Sequence, residues 1–187
     1  MSKNLKIIIP AAAAVLFVLC LSCTKESTKL TYANQESNIE KFVNTTLASH
    51  SSDTAYTVNN GGCIRLVLTE GSGEELSASG TVTFYYAGYV FNSSSISNSN
   101  LFATNISEIA ENLGWTLSRE DALEPVTEKL SGSSFVTGLR KGLEGVKGGE
   151  ECYILFSGKY GFGDKQLGTI PANSALAYYI KVTEVSN

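Results

Sequence analysis

Between Thr81 and Phe91 the chain carries five aromatic residues, Phe84, Tyr85, Tyr86, Tyr89 and Phe91, interleaved with threonine and valine. Rings and β-branched side chains at this density fit a pleated surface that packs against a core on one side, so the run is expected to be a long strand. The neighbouring segments share the texture. Tyr56 to Val58, the turn Asn59-Asn60-Gly61-Gly62 and Cys63 to Thr69 read as a hairpin, and Glu70-Gly71-Ser72-Gly73-Glu74 as a further turn. Asn92 to Asn100, nearly all Ser and Asn, is a loop, and Leu101 to Asn105 a short strand. Ile106 to Leu130 is a mixed segment with helical hints and the only tryptophan, Trp115. Phe135 to Val146 reads as a short helix, Glu150 to Ser157 as a strand, Gly158 to Pro171 as a glycine-rich loop and Ser174 to Val185 as a terminal strand. The sum is an α+β domain built on an antiparallel sheet.

The N-terminus follows a different pattern. Lys3 and Lys6 precede an apolar run, Ile7 to Leu21, that is too short for a stable membrane span and ends in Leu21-Ser22-Cys23. The stretch resembles the lipobox of bacterial lipoproteins, which makes residues 1–22 a signal peptide and Cys23 the acylated first mature residue. Cys20 stands where an aliphatic residue is usual. An ordinary secretory signal with an incidental cysteine is the alternative. The lipoprotein reading places the domain in the bacterial cell envelope, lipid-anchored to a membrane, expected to be the outer one, with the domain in the periplasm or at the cell surface. Residues 23–35 are small, polar and charged, as suits a flexible tether. Within 36–55, Ile39, Phe42, Val43 and Leu47 recur at helical spacing from Glu36 to Ala48, and this stripe docks either on its own domain or in a dimer. The domain proper is 56–187, and a monomer is expected.

Of 14 basic residues, Lys3 and Lys6 leave with the signal, so 12 face 18 acidic side chains in the remainder. That balance offers no electrostatic footprint for nucleic acid or an anionic lipid surface, so membrane contact is expected through the lipid alone. Of four cysteines, Cys20 leaves and Cys23 is acylated. Cys63 and Cys152 remain, in strand-like runs where a buried free thiol and a disulfide are both admissible. With a single histidine, His50, and no cysteine pair at ligand spacing, neither a metal nor a cofactor is expected. The glycines from Gly138 to Gly149 do not make a phosphate loop, because Lys147 is followed by Gly148 and not by Ser or Thr; backbone turns are the expected reason for them.

Four motifs in order carry a resemblance: Val82-Thr83-Phe84-Tyr85-Tyr86-Ala87-Gly88, then Phe135-Val136-Thr137-Gly138-Leu139 continuing to Glu150, then Tyr160-Gly161-Phe162-Gly163, then Ile170-Pro171-Ala172-Asn173-Ser174-Ala175-Leu176. Together they resemble the FKBP-type peptidyl-prolyl isomerases from about Tyr56 to Asn187. The resemblance implies a twisted antiparallel half-barrel sheet wrapped around one short helix, with an apolar pocket between them. It places Tyr86 and Phe102 on the pocket walls, Phe135 and Val136 at the helix entrance, Leu139 on the floor, and Phe162, Ile170 and Tyr178 around the rim. Phe91-Asn92-Ser93-Ser94 offers a second register for the Phe102 motif. The chain departs from the family at Ala103, where an acid is usual, at Leu139, where a tryptophan is usual, and at Phe162, where a tyrosine is usual. Residues 106–130 read as an insertion before the helix, a flap carrying Trp115 to the pocket mouth, removable without loss of the remaining fold.

The resemblance implies isomerisation of X–Pro bonds in proline-containing polypeptides. The Val136 backbone N–H would hold the carbonyl next to the proline, and no covalent step is needed. No Ser/His/Asp or Cys/His constellation contradicts this. The three departures keep a second reading open, an FKBP-fold module that binds polypeptide with little or no catalysis.

Overall fold

The computed structural model describes residues 11–50, 55–115 and 120–187. Residues 1–10, within the stretch expected from sequence to be a signal peptide, and the side chain of Cys23 lie outside the described residues. Among the described residues seven strands form one sheet: β1 (Tyr56–Asn59), β2 (Cys63–Thr69), β3 (Thr81–Val90), β4 (Leu101–Thr104), β5 (Val126–Lys129), β6 (Glu151–Phe156) and β7 (Leu176–Ser186). Their spatial order is β1-β2-β6-β7-β3-β4, every pairing is antiparallel, and β5 also pairs with β3. Among the described residues three α-helices accompany it, α1 (Ala11–Ser49), α2 (Ser107–Asn112) and α3 (Thr137–Leu143). The architecture is α+β, an open antiparallel sheet around a short helix.

Strand residues alternate between two apolar faces, and this explains why β2, β6 and β7 read as nearly continuous hydrophobic runs. Cys63, Val67, Val82, Phe84, Cys152, Ile154, Phe156, Tyr178 and Ile180 point inward and meet Leu139 and Leu143 of α3 in the main core. Their neighbours Leu66, Leu155 and Ala177 point outward, where Ile39 and Val43 of α1 cover them. Phe42 adds edge-on contacts with Phe91 at 5.6 Å and Tyr153 at 5.7 Å. Burying a large apolar side chain stabilises by about 1.5–3 kcal/mol, so this stripe suffices to hold one helix on the sheet. The helix packs on its own domain.

The structure corrects three expectations. The stretch 24–35 is helical, continuous with α1, and Tyr32 and Gln35 are hydrogen-bonded to Asn173; no Gly or Pro interrupts it, so a docked helix propagates through it. The segment 106–130 is not wholly an insertion: β5 pairs with Thr81 to Phe84, and Leu130, 2% exposed, donates its N–H to Gly80 O. Nor does its helix line the pocket, because Ile106, Ile109 and Leu113 pack on the outer-face cluster of Ala87, Tyr89 and Leu101, which Tyr179 also joins, and exposed Trp115 follows directly.

Gly138 and Gly142 mark a further difference, since they lie one helical turn apart inside α3 and not in turns. A side chain at either would overlap the Phe156 ring or Ile154, so glycine lets the helix seat directly on β6. Beneath its C-terminal end, Arg65 donates from Nη1 to the carbonyls of Gly142 and Glu144 and from Nη2 to that of Gly145. Its Nε lies 3.2 Å from Glu150 Oε1, both side chains being almost wholly buried. Burial pushes the Glu150 carboxyl up, and the Arg65 charge opposes that shift. Cys63 and Cys152 are free, since the register sets Cys63 opposite Phe156 and Cys152 opposite Val67.

Candidate functional site

A cavity of about 170 Å³ opens between the inner face of the sheet and α3, lined by Phe84, Tyr86, Phe102, Ala103, Val126, Phe135, Leu139 and Tyr178. Each wall has a local cause. Phe84 and Tyr86 are two apart on β3 and share a face. Phe102 comes from β4, and it can lie over the sheet because a side chain at Gly88 would overlap its ring. Leu139 projects from the first turn of α3, 5% exposed. Tyr178, on β7, is pinned by Phe102 edge-on at 5.7 Å and by Phe156 stacked at 6.0 Å.

Tyr86 is fixed through its backbone. Its N–H donates to Asn105 Oδ1 at 2.6 Å, and its carbonyl accepts from Thr104 Oγ1 at 2.8 Å and Asn105 N at 3.1 Å. The same buried Asn105 donates through Nδ2 to Glu124 O, so one amide spans the place where β4 and β5 part. Tyr178 is buried, 6% exposed, yet among the described residues its hydroxyl has no hydrogen-bond partner and is not sealed from solvent. Burial raises the pKa of Tyr178, with a further push from Tyr86, and burial raises Tyr86 as well, so both hydroxyls stay protonated donors at neutral pH.

Val136 precedes α3 with extended backbone, its carbonyl accepting from Arg140 N at 3.1 Å, while its own N–H has no acceptor among the described residues. Of the residues named from sequence, Tyr86, Phe102, Phe135, Leu139 and Tyr178 line the cavity. Tyr178 forms wall and not rim. Val136, Phe162 and Ile170 pack against the same core cluster without lining the cavity itself. Phe91 lies on the opposite face against α1, so the register that uses Phe102 is the one the fold adopts. Phe84 and Val126 were not identified from sequence. The two-residue period leading back from Tyr86 points to Phe84, whereas Val126 lies in a segment read as an insertion and has no local signal. A larger depression of about 730 Å³ near Arg65 and Lys141 is polar, and its buried guanidinium is taken up by Glu150 and the α3 carbonyls.

Aromatic walls, an unpartnered N–H at the helix entrance and no nucleophile among the lining residues suit a cavity that binds and shapes an apolar group without bonding to it. Residues 73–183 match the family described as FKBP-type peptidyl-prolyl cis-trans isomerase. FK506-binding protein 1 of Aspergillus oryzae is 22% identical over 125 residues, 67% of this chain and 99% of that protein. The fold is similar to that of FkpA from Escherichia coli, with a TM-score of 0.54 and 17% identity over 97% of this chain and 75% of that one. It is also similar to a peptidyl-prolyl cis-trans isomerase of Pseudomonas syringae pv. tomato, with a TM-score of 0.51 and 16% identity over 82% and 96% of the two chains.

Proposed function

Because the chain belongs to the FKBP-type peptidyl-prolyl cis-trans isomerases, we propose that it isomerises X–Pro bonds of proteins in the bacterial cell envelope, held at a membrane by a lipid on Cys23. The observation that carries the catalytic part is the aromatic-walled cavity on the inner face, sized for a small apolar ring. An X–Pro bond resists rotation by roughly 18–20 kcal/mol because the amide resonance is lost at the twisted midpoint. The twisted amide has less charge separation than the planar one, so a water-poor, apolar site disfavours the ground state relative to the transition state.

In this reading Tyr86, Phe102 and Tyr178 hold the prolyl ring, Leu139 forms the floor, and the Val136 N–H receives the carbonyl next to the proline. Phe162 and Ala103 provide no polar contact where the family has one, and the hydroxyl of Tyr178, a cavity-lining residue, supplies a donor in their stead. No covalent intermediate, metal or cofactor takes part. Lys3, Lys6, the apolar run and Leu21-Ser22-Cys23 support the anchoring part, since acyl chains contribute roughly 0.8 kcal/mol per buried methylene. Among the described residues no helix is long and apolar enough to cross a membrane.

The test is acceleration of X–Pro exchange in a short peptide by the soluble chain, followed by exchange spectroscopy, together with membrane fractionation of cells producing the full chain and Cys23→Ser. Acceleration and a shift of Cys23→Ser to the soluble fraction are expected. Binding without acceleration assigns the fold to polypeptide capture instead, and unchanged membrane association overturns the anchor.

A further inference from the structure

Three side chains on one face of α1 grip both ends of the loop between β6 and β7. Tyr32 Oη donates to Asn173 Oδ1 at 2.6 Å, and Gln35 Nε2 donates to Asn173 O at 2.6 Å. Gly158 N donates to Gln35 Oε1 at 2.9 Å, and Ser157 Oγ donates to Glu36 Oε1 at 3.2 Å. Residues 32, 35 and 36 share a face because positions three and four apart are neighbours on a helix. The loop also closes on itself at this point: Asn173 N donates to Gly163 O at 2.5 Å, and Gly158 O accepts from the N–H groups of Gly161 and Gly163.

Gly158 and Asn173 touch so closely that a side chain at Gly158 would overlap the Asn173 backbone. Asn173 has φ 58, the left-handed conformation that asparagine tolerates better than most residues, and its side chain and carbonyl are fixed by its surroundings. Those surroundings include α1. Between its two ends, the loop places Phe162 against the core cluster and buries Ile170 within it, beside Leu139 and Tyr178 of the cavity. The helix side of the grip is outside the part of the chain that matches the family, since α1 ends at Ser49 and the match begins at residue 73.

We propose that Tyr32, Gln35 and Glu36 are positioning residues for substrate binding, through which the N-terminal helix holds the 157–173 loop in register with the cavity and sets how tightly a prolyl segment is taken up. The inference rests on the cavity being the prolyl-peptide site. In it, the segment leading back to Cys23 is part of the binding apparatus and not a passive stem.

The experiment uses the soluble chain from residue 24 onward, compared with Tyr32→Phe, Gln35→Leu and Gln35→Glu. Three quantities are read: the Kd of a short proline-containing peptide by NMR titration, KM and kcat for its isomerisation, and native-state amide exchange along the chain. Each lost hydrogen bond is typically worth a factor of about 2–10. Gln35→Leu, which removes two bonds, is therefore expected to raise Kd and KM about tenfold with kcat within about twofold, and Tyr32→Phe to raise them about threefold. Gln35→Glu keeps an acceptor for Gly158 N–H and is expected to recover part of the loss. Amide exchange should speed up at Gly163 and Asn173 and stay unchanged in β6 and β7.

Unchanged peptide affinity in folded Gln35→Leu would overturn the proposal, as would faster exchange spread evenly over the sheet, which marks a merely structural role. Should Gln35→Leu not fold, Tyr32→Phe, the loss of one hydroxyl, decides on the same readouts. A wild type that binds the peptide without accelerating its exchange refutes the isomerase reading alone, while Kd still judges the positioning role. A wild type that does not bind the peptide overturns the proposal.

Discussion

Replacing Tyr178 with Phe separates catalysis from stability. The ring is held between Phe102 and Phe156, so the substitution removes one oxygen and leaves the wall in place. That oxygen has no hydrogen-bond partner among the described residues, so the folded state loses no internal bond, and the desolvation of a polar group is relieved. Stability should stay within about 0.5 kcal/mol of the wild type or rise slightly. If the hydroxyl instead serves a substrate carbonyl, its loss costs about 0.5–1.5 kcal/mol of binding or transition-state stabilisation, a factor of roughly 2–10 in kcat/KM. Tyr86→Phe should act similarly. The double variant should lose less than the product of the two, because the rings are 6.4 Å apart and share one cavity.

The same hydroxyls predict a pH profile. Burial raises both above the ordinary tyrosine value of about 10, with Tyr86 raising Tyr178 further. The rate should therefore stay flat across about pH 6–9, with no step from either tyrosine. A folded-state pKa above the unfolded one means that the contribution to stability is complete below about pH 10. It is lost as pH rises through the folded value, because the unfolded chain releases these protons first. The assays are exchange spectroscopy for the rate and urea unfolding for stability, run on wild type and both variants. An unchanged kcat/KM in Tyr178→Phe would refute the hydroxyl's role, and a parallel fall in activity and stability would show that it serves a partner inside the fold.

Glu150→Gln keeps the carboxylate's shape but leaves the Arg65 guanidinium buried without its counter-charge, and should cost about 3–5 kcal/mol in urea unfolding; a cost under about 1 kcal/mol would show that the carbonyls of Gly142, Glu144 and Gly145 suffice for Arg65. Replacing residues 108–122 by a short linker should preserve the sheet and the cavity while baring Ala87, Tyr89 and Tyr179 to a hydrophobic dye, whereas deleting 106–130 removes β5 with Val126 and Leu130 and should abolish cooperative melting in circular dichroism.

What the sequence reveals and what it hides divide along physical lines. The long strand, the α3 helix and the walls Tyr86, Phe102 and Leu139 were legible because strand alternation and ordered motifs are local signals. The 24–35 stretch was not, because its residues have no apolar period of their own and become helical through bonds to Asn173, far away in the chain. Val126 was hidden for a related reason: β5 is four residues long, flanked by irregular segments, and gains its place only by pairing with β3. Gly138 and Gly142 carried the opposite risk, since glycines in a short helix read as turns until the Phe156 ring and Ile154 of β6 show what they make room for.

The sheet's two apolar faces tie these features together. On β7, Tyr178 and Ile180 face the core and cavity while Ala177 and Tyr179 face the outer helices, so adjacent residues of one strand serve the site and its support. Small residues at Ala175 and Ala177 leave room for Ile39 and Val43 of α1, and Tyr179 Oη, donating to Glu151 Oε2 at 2.8 Å, ties β7 to β6 on that side. A half-barrel with a solvated outer face could open or twist without moving anything else. Here a change in the twist of β7 must displace α1 on one side and the Tyr178 wall on the other, because close-packed interiors transmit strain instead of absorbing it. The cavity's shape and the seating of the N-terminal helix are therefore one mechanical problem, and substitutions under α1, such as Ala177→Val, should be felt at the Tyr178 ring before they are felt in the rest of the sheet.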